Sequence, residues 1–148
     1  MKVNESGFLI AKIHITSGRI FERYLKRYSL GEINPAQGRI LFVLWQYGKM
    51  PFGQLAQKCG LGKSTLTSML GRMETSGLIE RMASEDKRTV IIGRTQKVIE
   101  LEEKYAAVSA EMNTAVFKGI PESEQAELER LLKKVLDNCE RIIHTPNK

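Results

Sequence analysis

The strongest constraint on the fold lies in residues 54–73, QLAQKCGLGKSTLTSMLGRM. Two short helical phases meet around Gly60-Leu61-Gly62, a break too tight for one continuous helix and suited to crossing one helix over another. Ala56 permits the close approach such a crossing needs, and Leu55 and Leu61 supply apolar contacts beside it. The first helix is expected over 54–59 and the second over 63–76, where Gly77 stops it. Within the second, Leu66, Met69, Leu70 and Met73 share one face at helical spacing. Both methionines read as core packing rather than metal ligands. The opposite face carries Ser64, Ser68, Gly71 and Thr75, with Thr65, Thr67 and Arg72 towards its edges.

Two short antiparallel strands follow, over 78–82 and 89–94, joined by the charged turn Ala83-Ser84-Glu85-Asp86-Lys87-Arg88. Helical stripes flank this centre. Leu9, Ile13, Ile20, Phe21, Tyr24, Leu25 and Tyr28 predict a long first helix. Pro35 then opens a second, carrying Ile40, Leu41, Leu44, Trp45 and Tyr47 as expected core residues before Gly48. Val98, Leu101, Tyr105 and Val108 predict another long helix, broken at Gly119-Ile120-Pro121. Leu128, Leu131, Leu132, Val135, Leu136, Cys139, Ile142 and Ile143 mark the last. The fold expected is mainly α, with a small hairpin. An isolated long helix buries too little to offset its ordering cost, so the first and last helices are expected to pack within a subunit, across a dimer, or both. A homodimer also matches two half-sites on a duplex.

Charge is unevenly spread along the 148 residues. Residues 1–48 hold 7 Lys/Arg against 3 acids, 49–94 hold 8 against 4, and 95–148 hold 8 against 10. A basic amino-terminal two-thirds suits a polyanionic partner. Short hydroxyls at Ser64, Thr65, Thr67 and Ser68 let a helix approach base edges, and Gly71 removes an obstruction. Lys63 and Arg72 are placed to anchor phosphates at the margins of that face. In the hairpin, one of Lys87 and Arg88 can track a phosphate while the other enters a minor groove. Asp86 is either a positioning partner for Arg88 or for a basic residue on the recognition helix, or a solvated surface acid. Arg81 and Arg94, at strand ends, are within possible reach of the backbone.

At these residues the chain resembles the multiple-antibiotic-resistance regulator (MarR) family, most specifically in QLAQKCGLGKSTLTSMLGRMETSGLIER followed closely by DKR. The resemblance spans nearly the whole chain and implies a winged helix-turn-helix with long flanking dimerisation helices. It implies one domain over 1–148, with a winged head at 35–94 and a helical dimerisation region at 1–34 and 95–148. Residues 63–76 would be the recognition helix in the major groove, Ser64, Thr65, Thr67 and Ser68 its polar reading positions, and Arg88 the wing arginine. The implied function is a cytoplasmic, sequence-specific regulator of transcription binding double-stranded DNA as a homodimer. A repressor whose DNA affinity responds to a small aromatic or apolar effector is expected. The resemblance places that effector in a cleft, for which Tyr24, Tyr28, Trp45 and Tyr47 offer rings, although core or interface packing is their default use.

Three departures from the family pattern stand out. Pro51 sits where a hydroxyl cap often begins the preceding helix, and Gly62 replaces a common serine, so both helices are expected to be weakly capped. After the wing, Arg94-Thr95-Gln96-Lys97-Val98 replaces the frequent Leu-Thr then Gly arrangement.

An enzyme is not expected. His14 and His144 are far apart and sit in no metal motif, no nucleophile stands beside either, and Gly60 to Ser64 is no phosphate loop. No metal site or cofactor is predicted. Cys59 and Cys139 are expected to be reduced and partly buried, and neither matches the amino-terminal redox cysteine of the family's peroxide sensors. No stretch has the length of a membrane span or the pattern of a signal peptide. A DNA-independent protein-interaction module is the main alternative, since long apolar flanks alone would serve it.

Overall fold

The computed structural model describes residues 3–146. Its elements run α1 (Ser6–Arg27), α2 (Pro35–Tyr47), β1 (Met50–Pro51), α3 (Phe52–Cys59), α4 (Lys63–Thr75), β2 (Ile79–Ala83), β3 (Val90–Arg94), α5 (Gln96–Val116) and α6 (Glu122–His144). The mainly helical fold with one small sheet agrees with the sequence reading. The chain forms two compact units, Met1–Met112 and Asn113–Lys148.

The first unit is organised around α2. Asn34 Oδ1 accepts the Gln37 amide at 2.8 Å and Gln37 Oε1 accepts the Asn34 amide at 3.1 Å, a reciprocal cap with Pro35 at the first helical position. Ile40, Leu41 and Leu44 then enter a core shared with Leu25, Leu30, Ile33, Leu55, Leu66, Leu70, Met73, Leu78, Ile92 and Val108. Gly38 is buried because Tyr105 lies over it: a Cβ there would collide with the Tyr105 hydroxyl. Tyr105 in turn stacks edge-on against Phe21 and Trp45, with centroids 5.6 and 6.4 Å apart.

The sheet has three strands in the order β1-β3-β2, all antiparallel, where the hairpin alone was expected. Met50 pairs with Ile92 and Pro51 with Ile91, and proline is tolerated because β1 is an edge. Gly93 leaves room for Met82, whose methyl would clash with a Cβ at that position.

Several expected burials fail. Tyr47 is 61% exposed and Trp45 sits at the surface margin at 37%, because the core side of α2 is taken by Ile40, Leu41, Val43 and Leu44. Tyr47 instead packs under the Lys58 ammonium, 4.0 Å from its ring centroid. In α1 only Leu25 is buried, and Phe8, Leu9 and Ile13 are exposed.

In the second unit, Gly119, at φ 82°, turns the chain into Pro121, the residue preceding α6. No residue of α6 is buried; Leu128, Leu131, Leu132, Val135, Leu136, Ile142 and Ile143 are all exposed. Cys139 is exposed too, which corrects the expected partial burial, whereas Cys59 is half-buried and burial pushes its thiol pKa up.

Candidate nucleic-acid interface

The turn between α3 and α4 explains how the candidate reading helix is presented. Gly60 adopts φ 65°, the left-handed conformation that glycine reaches without a Cβ penalty, and its amide donates to the Gln57 carbonyl at 3.1 Å. The Leu61 amide closes on Ala56 at 3.0 Å, and α4 starts after Gly62. Neither Pro51 nor Gly62 provides a side-chain cap, as their residue types predict. The first-turn amides of α4, beside exposed Lys63, Ser64 and Thr65, therefore keep the donor capacity that favours an anion.

Leu66, Leu70 and Met73 root α4 in the core, and Met69 packs against it, so the other face is turned outward. Thr67, Ser68, Gly71, Arg72, Thr75 and Ser76 line an open groove there. A Cβ at Gly71 would meet no protein atom, so the gap it leaves is not filled from within the protein. Thr67 Oγ1 donates to the Lys63 carbonyl at 2.7 Å and Thr75 Oγ1 to Gly71 at 3.0 Å, which uses their protons and leaves acceptor capacity. Arg72 donates to Ser68 Oγ at 3.3 Å and lines the same groove.

The wing loop is held by its own polar residues. Ser84 donates its hydroxyl to Asp86, and Asp86 Oδ1 accepts the Arg88 backbone amide at 3.1 Å. The Ser84 hydroxyl, then the Arg88 amide, hold the Asp86 carboxyl below its ordinary pKa. Asp86 thus shapes the loop through the backbone of Arg88 and makes no ion pair with the guanidinium. Lys87 takes φ 55°, and the loop closes with the Ser84 amide on the Thr89 carbonyl at 3.1 Å. Lys87 and Arg88 are exposed, and among the described residues neither has an ion-pair partner.

The remaining strand arginines are already engaged. Arg81 Nε pairs with Glu74 Oε2 of α4 at 3.3 Å, and Arg94 pairs with Glu102 of α5. The wing root carries two residues the sequence did not single out for this task. Thr95 Oγ1 donates to the Gly77 carbonyl at 2.6 Å and accepts the Val98 amide at 3.3 Å, joining the end of α4 to the start of α5. Lys97 Nζ reaches the Ser76 carbonyl at 3.2 Å and Glu32 at 3.1 Å. A threonine three residues before a helical amide is a readable cap signal, but its second bond, to Gly77, is not.

Of the four rings considered for an effector, Trp45 lines a cavity together with Ile33, Leu41, Val98, Leu101, Glu102 and Tyr105. Its volume is about 20 Å³, room for one water and no more. Burial pushes the Tyr105 phenol up to about 12, so it stays neutral. Tyr28 instead donates to Glu111, and the Tyr24 ring lies under Arg27 at 4.8 Å. Among the described residues no three His, Cys, Asp or Glu side chains are grouped to hold a metal, and no helix is long and apolar enough to cross a membrane.

The model of the MarR family matches residues 33–90. The HTH-type transcriptional repressor IacR of Pseudomonas putida is 26% identical over 136 residues, covering 91% of this chain and 80% of that protein. The organic hydroperoxide resistance transcriptional regulator of Bacillus subtilis is 32% identical over 102 residues, covering 68% of this chain and 67% of that one. A crystal structure of a mutant MarR from E. coli complexed with operator DNA superposes with a TM-score of 0.78 at 27% identity, covering 88% of this chain and 92% of that one.

Proposed function

Because this chain belongs to the MarR family of DNA-binding transcriptional regulators, which are not enzymes, we propose that it represses transcription by binding a specific duplex as a homodimer in the cytoplasm. The observation carrying this reading is the conjunction on one unit of an open, hydroxyl-lined α4 groove and a wing whose exposed Lys87 and Arg88 have no ion-pair partner among the described residues. In this reading α4 enters the major groove, where Ser64, Thr65, Thr67 and Ser68 face base edges. Lys63 and Arg72 hold phosphates. Asp86 sets the loop that delivers Lys87 and Arg88 to the backbone or minor groove. Arg81, already paired with Glu74, supports α4 and contributes to the field rather than a separate contact.

Residues 35–94 serve as the reading head, and 1–34 with 95–148 as the dimerisation region. Support for the dimer comes from α6, which buries nothing within the chain while exposing seven large apolar residues, and from the exposed amino-terminal half of α1. A second copy would remove those surfaces from water. Repression is the activity of the Pseudomonas putida relative IacR, a transcriptional repressor. Response to a small aromatic or apolar effector is what membership of the family suggests, and the Trp45–Tyr105 cavity, at about 20 Å³, admits no more than water as it stands. A protection map of native genomic DNA at two salt concentrations tests the function. Discrete protected sites that weaken as salt rises are expected, and uniform or absent protection would overturn the reading.

A further inference from the structure

Arg94 and Glu102 form the least exposed ion pair among the described residues, with side chains 23% and 20% exposed. Lys97–Glu32, beside it, is 47% and 48% exposed. Arg94 ends β3, the middle strand of the sheet, in register with Ile79 of β2. Glu102 lies on α5, and it is the one charged side chain lining the cavity of Trp45 and Tyr105. One carboxylate therefore touches both the root of the wing and the wall of the cavity.

An apolar side chain at the end of β3 would hold the wing root by non-directional contact and tolerate sliding. A partly buried ion pair is directional: it holds one arrangement, and separating its partners leaves a poorly solvated charge on each side. Glu102 and Trp45 share the wall of a cavity of about 20 Å³, so a displacement of Glu102 changes the surface against which Trp45 packs. The ion pair is thus a direct physical link from the end of β3 to the wall that Trp45 lines.

We propose that Arg94 and Glu102 are positioning residues for DNA binding, coupling the orientation of the wing to the packing around Trp45. The inference rests on the DNA-binding reading. Coupling is reciprocal, so DNA on the wing changes the surroundings of Trp45, and a change of cavity packing changes DNA affinity.

Trp45 is the single tryptophan of the chain, so its fluorescence reports this cavity alone. A duplex selected by the wild type from a random pool is the probe. Saturating duplex should shift the wild-type emission. Arg94→Gln and Glu102→Gln should each bind the duplex at least about 5-fold more weakly and lose the shift. The exchanged variant, Arg94→Glu with Glu102→Arg, should recover much of both, and it carries the test if a single variant fails to fold. Loss of stability alone would not remove a fluorescence response from folded, DNA-saturated protein. A wild type that selects no duplex overturns the DNA reading and this inference together. Wild-type binding without an emission shift, unaltered single variants, or a folded exchanged variant that recovers neither property overturns this inference alone.

Discussion

Thr95 donates its hydroxyl proton to the Gly77 carbonyl at 2.6 Å while accepting the Val98 amide, so one side chain ends the α4 turn and begins α5. Both bonds are partly buried, where an orphaned carbonyl or amide is costly. Thr95→Val should destabilise the chain by about 1–2 kcal/mol, and Thr95→Ser by much less. Urea unfolding of the three proteins checks this, and equal midpoints for valine and serine variants would remove the role.

Gly38→Ala tests the contact at the centre of α2. Alanine favours a helix by about 1 kcal/mol over glycine. Here the new methyl meets the hydroxyl of Tyr105, which is only 8% exposed and held by Phe21 and Trp45. Overpacking should win, with a net loss of about 1–3 kcal/mol. Adding Tyr105→Phe should return most of it, and additive penalties in thermal unfolding would contradict the contact.

Asp86 predicts a pH dependence confined to the wing. Its folded pKa lies below the ordinary 3.8, so its contribution to loop order is complete above that value and is lost as pH falls through the lower folded one. Relative to the intrinsic rate of a free amide at the same pH, the Arg88 amide should lose protection from exchange over that acid range in the wild type. In Asp86→Ala it should already be unprotected at neutral pH. A protected Arg88 amide in the variant would assign the loop to other bonds.

The exposed cations and the groove hydroxyls should separate affinity from selectivity. Arg88→Ala is expected to weaken duplex binding by roughly 1–3 kcal/mol with unchanged oligomer mass. Lys63→Met should weaken most duplexes alike and lower the salt slope by about one phosphate contact. Ser68→Ala should instead reorder preference within a randomised pool. An unchanged preference profile would leave base reading to Ser64, Thr65 and Thr67.

Leu132→Asp separates assembly from folding. Leu132 is 43% exposed within the chain, so a carboxylate there is tolerated by the protomer but not by an apolar interface. The variant should keep its helical content and show a lower mass in sedimentation at several protein concentrations without DNA. A wild-type mass for the folded variant would take this helix face out of the interface.

The elements legible in the sequence were those specified by near neighbours. Spacing of Leu66, Met69, Leu70 and Met73 identifies the buried face of α4 because helix periodicity is local, and Gly60 identifies the turn because few residues adopt its backbone conformation. The charged loop between two short β runs is local in the same sense. Tertiary structure alone decided how these pieces are fastened. β1 is a strand only because Met50 and Pro51 meet Ile92 and Ile91, some forty residues on. Arg94, read as a cation at a strand end, is neutralised by a glutamate on the next helix. Tyr47 has the composition of a core residue and lies outside, because the inward face of α2 was filled by its aliphatic neighbours. Periodicity records what a residue is suited to bury. Which partner arrives to bury it, or to pair its charge, depends on the packing of elements distant in the chain.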